Sequence, residues 1–337
     1  MQEGTTTAHP HRKYVERSHA VLERLAQADI ERLDWKIVTA ALEDLERGIE
    51  LFHPHRHIRK VSIFGSARTP ADQPIYKMAV DFAQRMTEQG FMVITGAGDG
   101  IMAAGNEGAG RSQSFGLNIQ LPFEQGSNPF IEGDEKLISF KYFFTRKLFF
   151  LRESDAIALF PGGFGTLDEA FESLTLLQTG KYGPAPVVFI NEPGSDYWGS
   201  LDAHIREHLL RDGLISPDDP SIYTMTDDLD AACGAIQRFY RVYHSSRYVG
   251  DQLVLRLKTP LSESAIAFLN REFSDLLSYG AIVPSAALPE EQGDETEALP
   301  RLVLDFNQKD AARLLQMIHK INELGAFGLE DDHPEWK

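Results

Sequence analysis

Near the middle of the chain, Ala156-Ile157-Ala158-Leu159-Phe160-Pro161-Gly162-Gly163-Phe164-Gly165-Thr166-Leu167-Asp168-Glu169 sets strand, turn and helix in direct succession. The first five residues are an unbroken apolar run, the pattern of a strand buried on both faces. Beyond the turn, Ala170-Phe171-Glu172-Ser173-Leu174-Thr175-Leu176-Leu177 has the spacing of an amphipathic helix. A glycine-rich turn leading from a strand into a helix N-terminus is built to hold a phosphate. Glycines let backbone N–H groups approach an anion closely, and the helix dipole favours the negative charge. Glu169 is the unexpected member. A carboxylate in that position opposes a phosphate and requires a task or a partner of its own.

The same alternation continues on both sides. Val61-Ser62-Ile63-Phe64 is a short buried strand ending at Gly65-Ser66-Ala67, followed by a helix over 75–89. Phe91–Thr95 is a second strand, and Gly96-Ala97-Gly98-Asp99-Gly100 is a second glycine-rich turn opening a helix that runs to Gly108. Gly116–Gln120 is a third strand. A long loop, Leu121–Lys136, leads to a helix over 142–152. After the Pro-Gly-Gly turn come a strand at Val187–Ile190 and helices near 197–211 and 227–243. Strand alternating with helix predicts an α/β fold, a Rossmann-like doubly wound parallel sheet. Ligands of such sheets sit beyond the carboxyl ends of the strands, where the loops starting at Gly65, Gly96 and Pro161 are expected to converge.

The flanks differ. Residues 1–12 are polar and expected to be disordered, whereas 14–50 carry apolar residues at helical spacing, one or two helices packing on the main domain or on a partner. Toward the C-terminus, strands at Leu253–Leu257 and Leu302–Phe306 and helices at 261–278 and 309–323 form a small α/β appendage, interrupted by the acidic loop Pro289–Pro300. The chain divides into 1–58 (tail and N-terminal helices), 59–245 (the Rossmann-like region) and 246–337 (the C-terminal extension).

Composition limits the function classes. Among 337 residues there are 33 basic and 50 acidic ones, a formal net charge of −17. That balance disfavours sequence-independent nucleic-acid binding and anionic membrane surfaces, both of which need a basic footprint. No apolar leader, no membrane-length apolar stretch and a single cysteine point to a cytoplasmic protein without disulfides. Cys233 sits in an apolar helix pattern and is expected to pack as a small hydrophobe. His53, His55 and His57 alternate, but Pro54 and the cations around them argue for a solvated linker and against a metal site.

The chemistry centres on two segments. Thr166-x-x-Glu169 spells a capping box, in which Glu169 would serve only its own helix. Against that stands Arg146-Lys147, two cations within the aromatic stretch Tyr142–Phe150, where a charge is costly unless paired. Ser66 is either a ligand hydroxyl at a strand end or a turn serine. Glu124 and Asn128 lie in the long loop, and Lys147 either binds phosphate or reaches solvent. The turn at Gly98 either binds nucleotide or caps its helix.

With these residues the chain resembles the LOG family, the cytokinin riboside 5′-monophosphate phosphoribohydrolases, many of which were long labelled lysine decarboxylases. Arg146-Lys147 followed by Pro161-Gly162-Gly163-Phe164-Gly165-Thr166-Leu167-Asp168-Glu169 carries the resemblance, with Phe64-Gly65-Ser66 and Gly98-Asp99-Gly100-Ile101-Met102. It covers roughly 59–243; the second turn departs from it, with Ala97 where many members have glycine, and the loop Leu121–Pro129 looks like that of longer bacterial members. The resemblance implies hydrolysis of the N-glycosidic bond of a purine nucleoside 5′-monophosphate, AMP or an N6-substituted relative. Arg146 and Glu169 would be catalytic; Ser66, Gly98, Glu124, Asn128, Lys147, Gly162, Gly163, Gly165 and Thr166 would bind substrate. No metal or other cofactor is implied, and the partner would be a second copy in a homodimer or larger homo-oligomer. The alternative is a non-catalytic nucleotide or molybdenum-cofactor carrier on the same fold, which has no need of a carboxylate beside a sugar.

Overall fold

A computed structural model describes residues 11–120 and 126–325. Residues 1–10 of the polar tail and Glu124 lie outside the described residues. Two helices come first, α1 (Arg12–Gln27) and α2 (Arg32–Phe52). His53–His55 extend α2 by a single tight turn and are not a free linker. The alternating region follows as β1 (Lys60–Phe64), α3 (Pro74–Glu88), β2 (Met92–Thr95), α4 (Ile101–Ala109), β3 (Ser114–Ile119), β4 (Leu137–Phe140), α5 (Phe143–Arg152), β5 (Ala156–Leu159), α6 (Phe164–Gln178), β6 (Val187–Ile190), α7 (Tyr197–His204), β7 (Tyr223–Thr226) and α8 (Leu229–Phe239).

The seven strands form one parallel sheet in the order β4-β3-β2-β1-β5-β6-β7. The chain winds outward from β1 to β4, then returns to place β5 beside β1, with Ser62 opposite Ile157 and Phe64 opposite Leu159. The reversal between β1 and β5 opens a crevice at their carboxyl ends, the place where doubly wound sheets take ligands. β1, β2, β5 and β6 are buried along their whole length, as strands covered on both faces must be. Cys233 is buried on α8, and burial pushes its thiol up to about 11, which keeps it protonated and unreactive.

The C-terminal part is a second sheet: β8 (Tyr243–Val249), β9 (Gln252–Leu257), α9 (Glu263–Glu272), β10 (Leu277–Ser285), β11 (Arg301–Phe306) and α10 (Ala311–Leu324). Its strands run antiparallel in the order β10-β11-β9-β8. The expected helix over 227–243 stops at Phe239, and the one over 261–278 stops at Glu272, because the chain turns at both places into a strand. The position between 245 and 246 falls inside β8. Asn322 of α10 fixes the passage from α8 into β8: its Oδ1 accepts from the N–H groups of Val242 and Tyr243, and its Nδ2 donates to the Phe239 carbonyl. One continuous apolar core runs from Val61 through Phe189 to Leu304 and Met317.

Candidate active site

Three loops meet at the crevice and hold each other by backbone contacts. Ser66 N–H donates to the Pro161 carbonyl at 3.1 Å, and Ile101 N–H donates to the Ser66 carbonyl at 3.0 Å. Two glycines make this close approach feasible. A Cβ on Gly162 would lie 2.1 Å from Thr166 Oγ1, and one on Gly100, whose φ is +62°, would lie 2.2 Å from the Ser66 carbonyl oxygen. Tyr197 Oη donates to the Gly162 carbonyl at 2.6 Å, which fixes the orientation of that peptide. By contrast, Gly163 and Gly165 face open space.

The cleft so formed has a volume of about 890 Å³ and is lined by Ser66, Gly98, Asn128, Arg146 and the whole run from Gly162 to Glu169. Helix α6 starts at Phe164 with Gly163 as its N-cap and no side-chain cap. Thr166 therefore lies at the third helical position, inside the helix, and the capping box that Thr166 and Glu169 spell is not formed. The N–H groups of the first turn have no partner in the helical ladder and are available to an anion.

Glu169 is 7% exposed and sits one turn further along α6. Burial raises its carboxyl to about 7; Lys147 and Arg146 pull it down, and Glu172 and Asp168 add to the rise. Desolvation therefore prevails over the adjacent positive charge. Lys147 Nζ lies 2.6 Å from Glu172 Oε2, 2.9 Å from Asp168 Oδ2 and 3.9 Å from Glu169 Oε1. Burial alone would lower the Lys147 ammonium; the hydrogen bonds to Glu172 and Asp168 outweigh it, and the group is held above its usual value. Arg146 Nε donates to the Leu117 carbonyl at 2.7 Å, and its guanidinium carbon stands 5.0 Å from the centre of the Phe150 ring. Both cations leave the first two turns of α5, so Arg146 bears on the cleft while Lys147 bridges α5 to α6.

The remaining predicted residues divide. Ser66 lines the cleft, and its Oγ accepts from Arg68 N–H at 3.1 Å, a local turn bond that leaves its hydroxyl proton for another acceptor. Asn128 is buried in the wall. Its Nδ2 donates to the Gly98 carbonyl at 3.0 Å and to Asn106 Oδ1 at 2.9 Å, and Asn106 Oδ1 also accepts from Thr95 Oγ1 at 2.7 Å. With both amide hydrogens engaged, Asn128 supports the Gly98 turn from behind. Ala97 in that turn adopts φ +61°, a left-handed conformation that a non-glycine residue takes only under constraint. Sequence reasoning did not single out Arg68, Asp99, Phe143 or Phe164, all on the cleft wall. Each stands within two residues of a predicted position or at the start of α5, and convergence of loops was the only available signal.

Residues 97–236 match the protein-family model described as possible lysine decarboxylase. Over 165 residues the chain is 31% identical to a probable cytokinin riboside 5′-monophosphate phosphoribohydrolase of Oryza sativa subsp. japonica, covering 47% of this chain and 63% of that protein. Over 92 residues it is 34% identical to the cytokinin riboside 5′-monophosphate phosphoribohydrolase of Rhodococcoides fascians, covering 27% of this chain and 44% of the relative. Over these residues the chain is similar to the LOG family. The match spans less than two thirds of either relative's length. Among solved structures, the molybdenum cofactor binding protein of Rippkaea orientalis aligns over 53% of this chain and 94% of its own, with 18% identity and a TM-score of 0.36.

The family model's description brings pyridoxal phosphate to mind, since amino-acid decarboxylation ordinarily uses that electron sink on a lysine Schiff base. The residues do not fit it. No lysine is among the described residues of the cleft wall, and Lys147 beside it is ion-paired to carboxylates and held protonated, the opposite of what imine formation requires. Among the described residues no helix is long and apolar enough to cross a membrane.

Proposed function

We propose that the chain hydrolyses the N-glycosidic bond of a purine nucleoside 5′-monophosphate, AMP or an N6-substituted AMP, to free base and ribose 5-phosphate. The observation that carries this reading is the placement of buried Glu169 one helical turn from an open glycine turn, with Arg146 and Lys147 beside it. The relatives' names support the substrate class.

The 5′-phosphate rests on the N–H groups of Gly163, Gly165 and Thr166, where the α6 dipole favours it. Anchored there, the ribose presents C1′ toward Glu169. As the bond to the base breaks, C1′ becomes oxocarbenium-like, and an ionised carboxylate either stabilises that cation or takes a proton from the attacking water. A carboxyl that titrates near 7 suits the second task at neutral pH. Arg146 orients the carboxylate and stabilises charge on the departing base or the phosphate.

The test is release of free base and ribose 5-phosphate from a panel of nucleoside monophosphates and their nucleosides. Monophosphates should be cleaved much faster than nucleosides, because the phosphate supplies anchoring that the reaction uses. Equal rates refute the phosphate site, and no release from any of them refutes the reading. We further propose a homodimer or larger homo-oligomer, supported by the exposed apolar side chains Phe144, Leu148 and Phe171 on α5 and α6. Light scattering of the full chain checks it; a monomer at micromolar concentration refutes it.

A further inference from the structure

α2 lies outside the α/β alternation, yet its Asp44 has 0% exposure. A carboxylate there is tolerable only if its oxygens are fully bonded. Asp44 Oδ2 accepts from Thr145 Oγ1 at 2.6 Å, from Lys141 N–H at 3.0 Å and from Tyr142 N–H at 3.3 Å. Its Oδ1 accepts from Arg47 Nη2 at 2.7 Å and from Lys141 N–H at 3.2 Å. Tyr142 is the N-cap of α5 and has no side-chain cap of its own. Asp44 therefore caps α5 from another helix, satisfying N–H groups at the helix entrance and placing a negative charge at the positive end of its dipole. A second contact locks the same pair: a Cβ on Gly48 would lie 2.3 Å from the Phe149 ring. The turn that Asp44 fixes is the one that Arg146 closes, with its N–H donating to the Tyr142 carbonyl at 3.2 Å.

We propose that Asp44 is a positioning residue for the cleft, holding the first turn of α5 so that Arg146 and Lys147 keep their places beside Glu169. The proposal rests on the nucleotide-cleaving reading of the site. It makes α2 part of the catalytic architecture and gives that helix a role other than assembly.

The experiment compares full-length wild type with Asp44→Ala and Asp44→Asn. It measures base release from AMP as a function of pH and amide hydrogen exchange across Tyr142–Lys147. Asp44→Ala should lose on the order of 10–100-fold in kcat, the scale of a displaced catalytic group, with KM within about threefold because the α6 cradle is untouched. The acid limb of its pH profile should move to higher pH. Arg146 and Lys147 on α5 hold the Glu169 carboxyl down against Asp168 and Glu172, and a loosened α5 weakens that hold. Asparagine keeps an acceptor for the Lys141 and Tyr142 N–H groups, so Asp44→Asn should restore both kcat and the limb. A folded Asp44→Ala with wild-type kcat and an unmoved limb overturns the proposal, as does an asparagine variant as impaired as the alanine. If Asp44→Ala does not fold, Thr145→Val removes one donor to the same carboxylate; a shift of the limb in the same direction supports the proposal, and an unmoved limb overturns it. Wild type without base release refutes the nucleotide-cleaving reading alone. The exchange arm then still decides the positioning: faster exchange at Tyr142–Lys147 in Asp44→Ala supports it, and wild-type protection there overturns it.

Discussion

Replacing Glu169 with glutamine should abolish turnover and at the same time stabilise the protein above neutral pH. The native carboxyl is raised from 4.5 to about 7, chiefly by burial. A group that binds its proton more tightly when folded contributes stability that is fully present below the unfolded value and is lost as pH rises through the folded one. Each pH unit between those two values is worth about 1.4 kcal/mol. Wild type therefore forgoes on the order of 3 kcal/mol at pH 8 and less than about 1 kcal/mol at pH 5. Glutamine has nearly the same shape and carries no charge to desolvate. Lys147 is left facing Asp168 and Glu172, so no cation is stranded. Urea unfolding of both proteins at pH 5 and pH 8 reads the difference, and base release from AMP reads the activity. The gap between variant and wild type should widen by about 2–3 kcal/mol from pH 5 to pH 8, while kcat falls by about 10²-fold or more. A gap that is constant with pH, or a variant that keeps its kcat, would refute the reasoning.

Wild-type kcat/KM for AMP should rise with pH through an acid limb near pH 7, since Glu169 must be ionised to act as a base; a flat profile between pH 5 and pH 8 counts against Glu169. Arg146→Lys should remain at least about tenfold below wild type, because an ammonium cannot both donate from the Nε position to Leu117 and present a planar fork to the cleft. Full activity in that variant would reduce the role of Arg146 to local charge. Gly100→Ala should destabilise by on the order of 3 kcal/mol or more, as its φ of +62° disfavours a side chain and its Cβ would press on the Ser66 carbonyl. A normal unfolding midpoint would show that the two loops can separate.

What could be read from the sequence follows from how much surface each element buries. β1, β2, β5 and β6 are covered on both faces and announce themselves as apolar runs. The edge strands of the parallel sheet are half exposed: β4 is Leu-Ile-Ser-Phe and β7 is Tyr-Thr-Met-Thr, neither of which stands out from loop. β8 carries two serines, a histidine and an arginine among its seven residues, and β10 contains Gly280 and Pro284, which an edge strand tolerates and a central one does not. The helix expected over 261–278 ran too far because Phe273, Leu276 and Leu277 continue the apolar spacing after the backbone has left the helix. At the cleft, Glu169 and Arg146 could be found because their motifs are local. Asp44 could not, as its bonds reach residues 97 to 101 positions away. Nor could the Thr95–Asn106–Asn128 network, in which three common polar residues become specific only through burial.

The cleft sets two opposing electrostatic demands within one helix, and the geometry separates them by depth. The first turn of α6 offers unpaired N–H groups on an open glycine surface, where an anion gains from the dipole and stays in contact with water. Glu169, one turn deeper, is withdrawn from water, so its charge is disfavoured even with two cations at hand. A single carboxylate beside Lys147 would form an ordinary ion pair and titrate low. Three carboxylates share that ammonium, and the shorter contacts go to Asp168 and Glu172 at 2.9 and 2.6 Å, leaving Glu169 at 3.9 Å. The competition leaves Glu169 only partly compensated and holds its carboxyl near the pH at which a base is most useful. On that account Lys147 tunes the reaction through its neighbours. Asp168→Asn should therefore move the acid limb of kcat/KM to lower pH, since it removes a negative neighbour and frees Lys147 to turn toward Glu169. A limb that stays in place would mean that burial alone sets the Glu169 carboxyl.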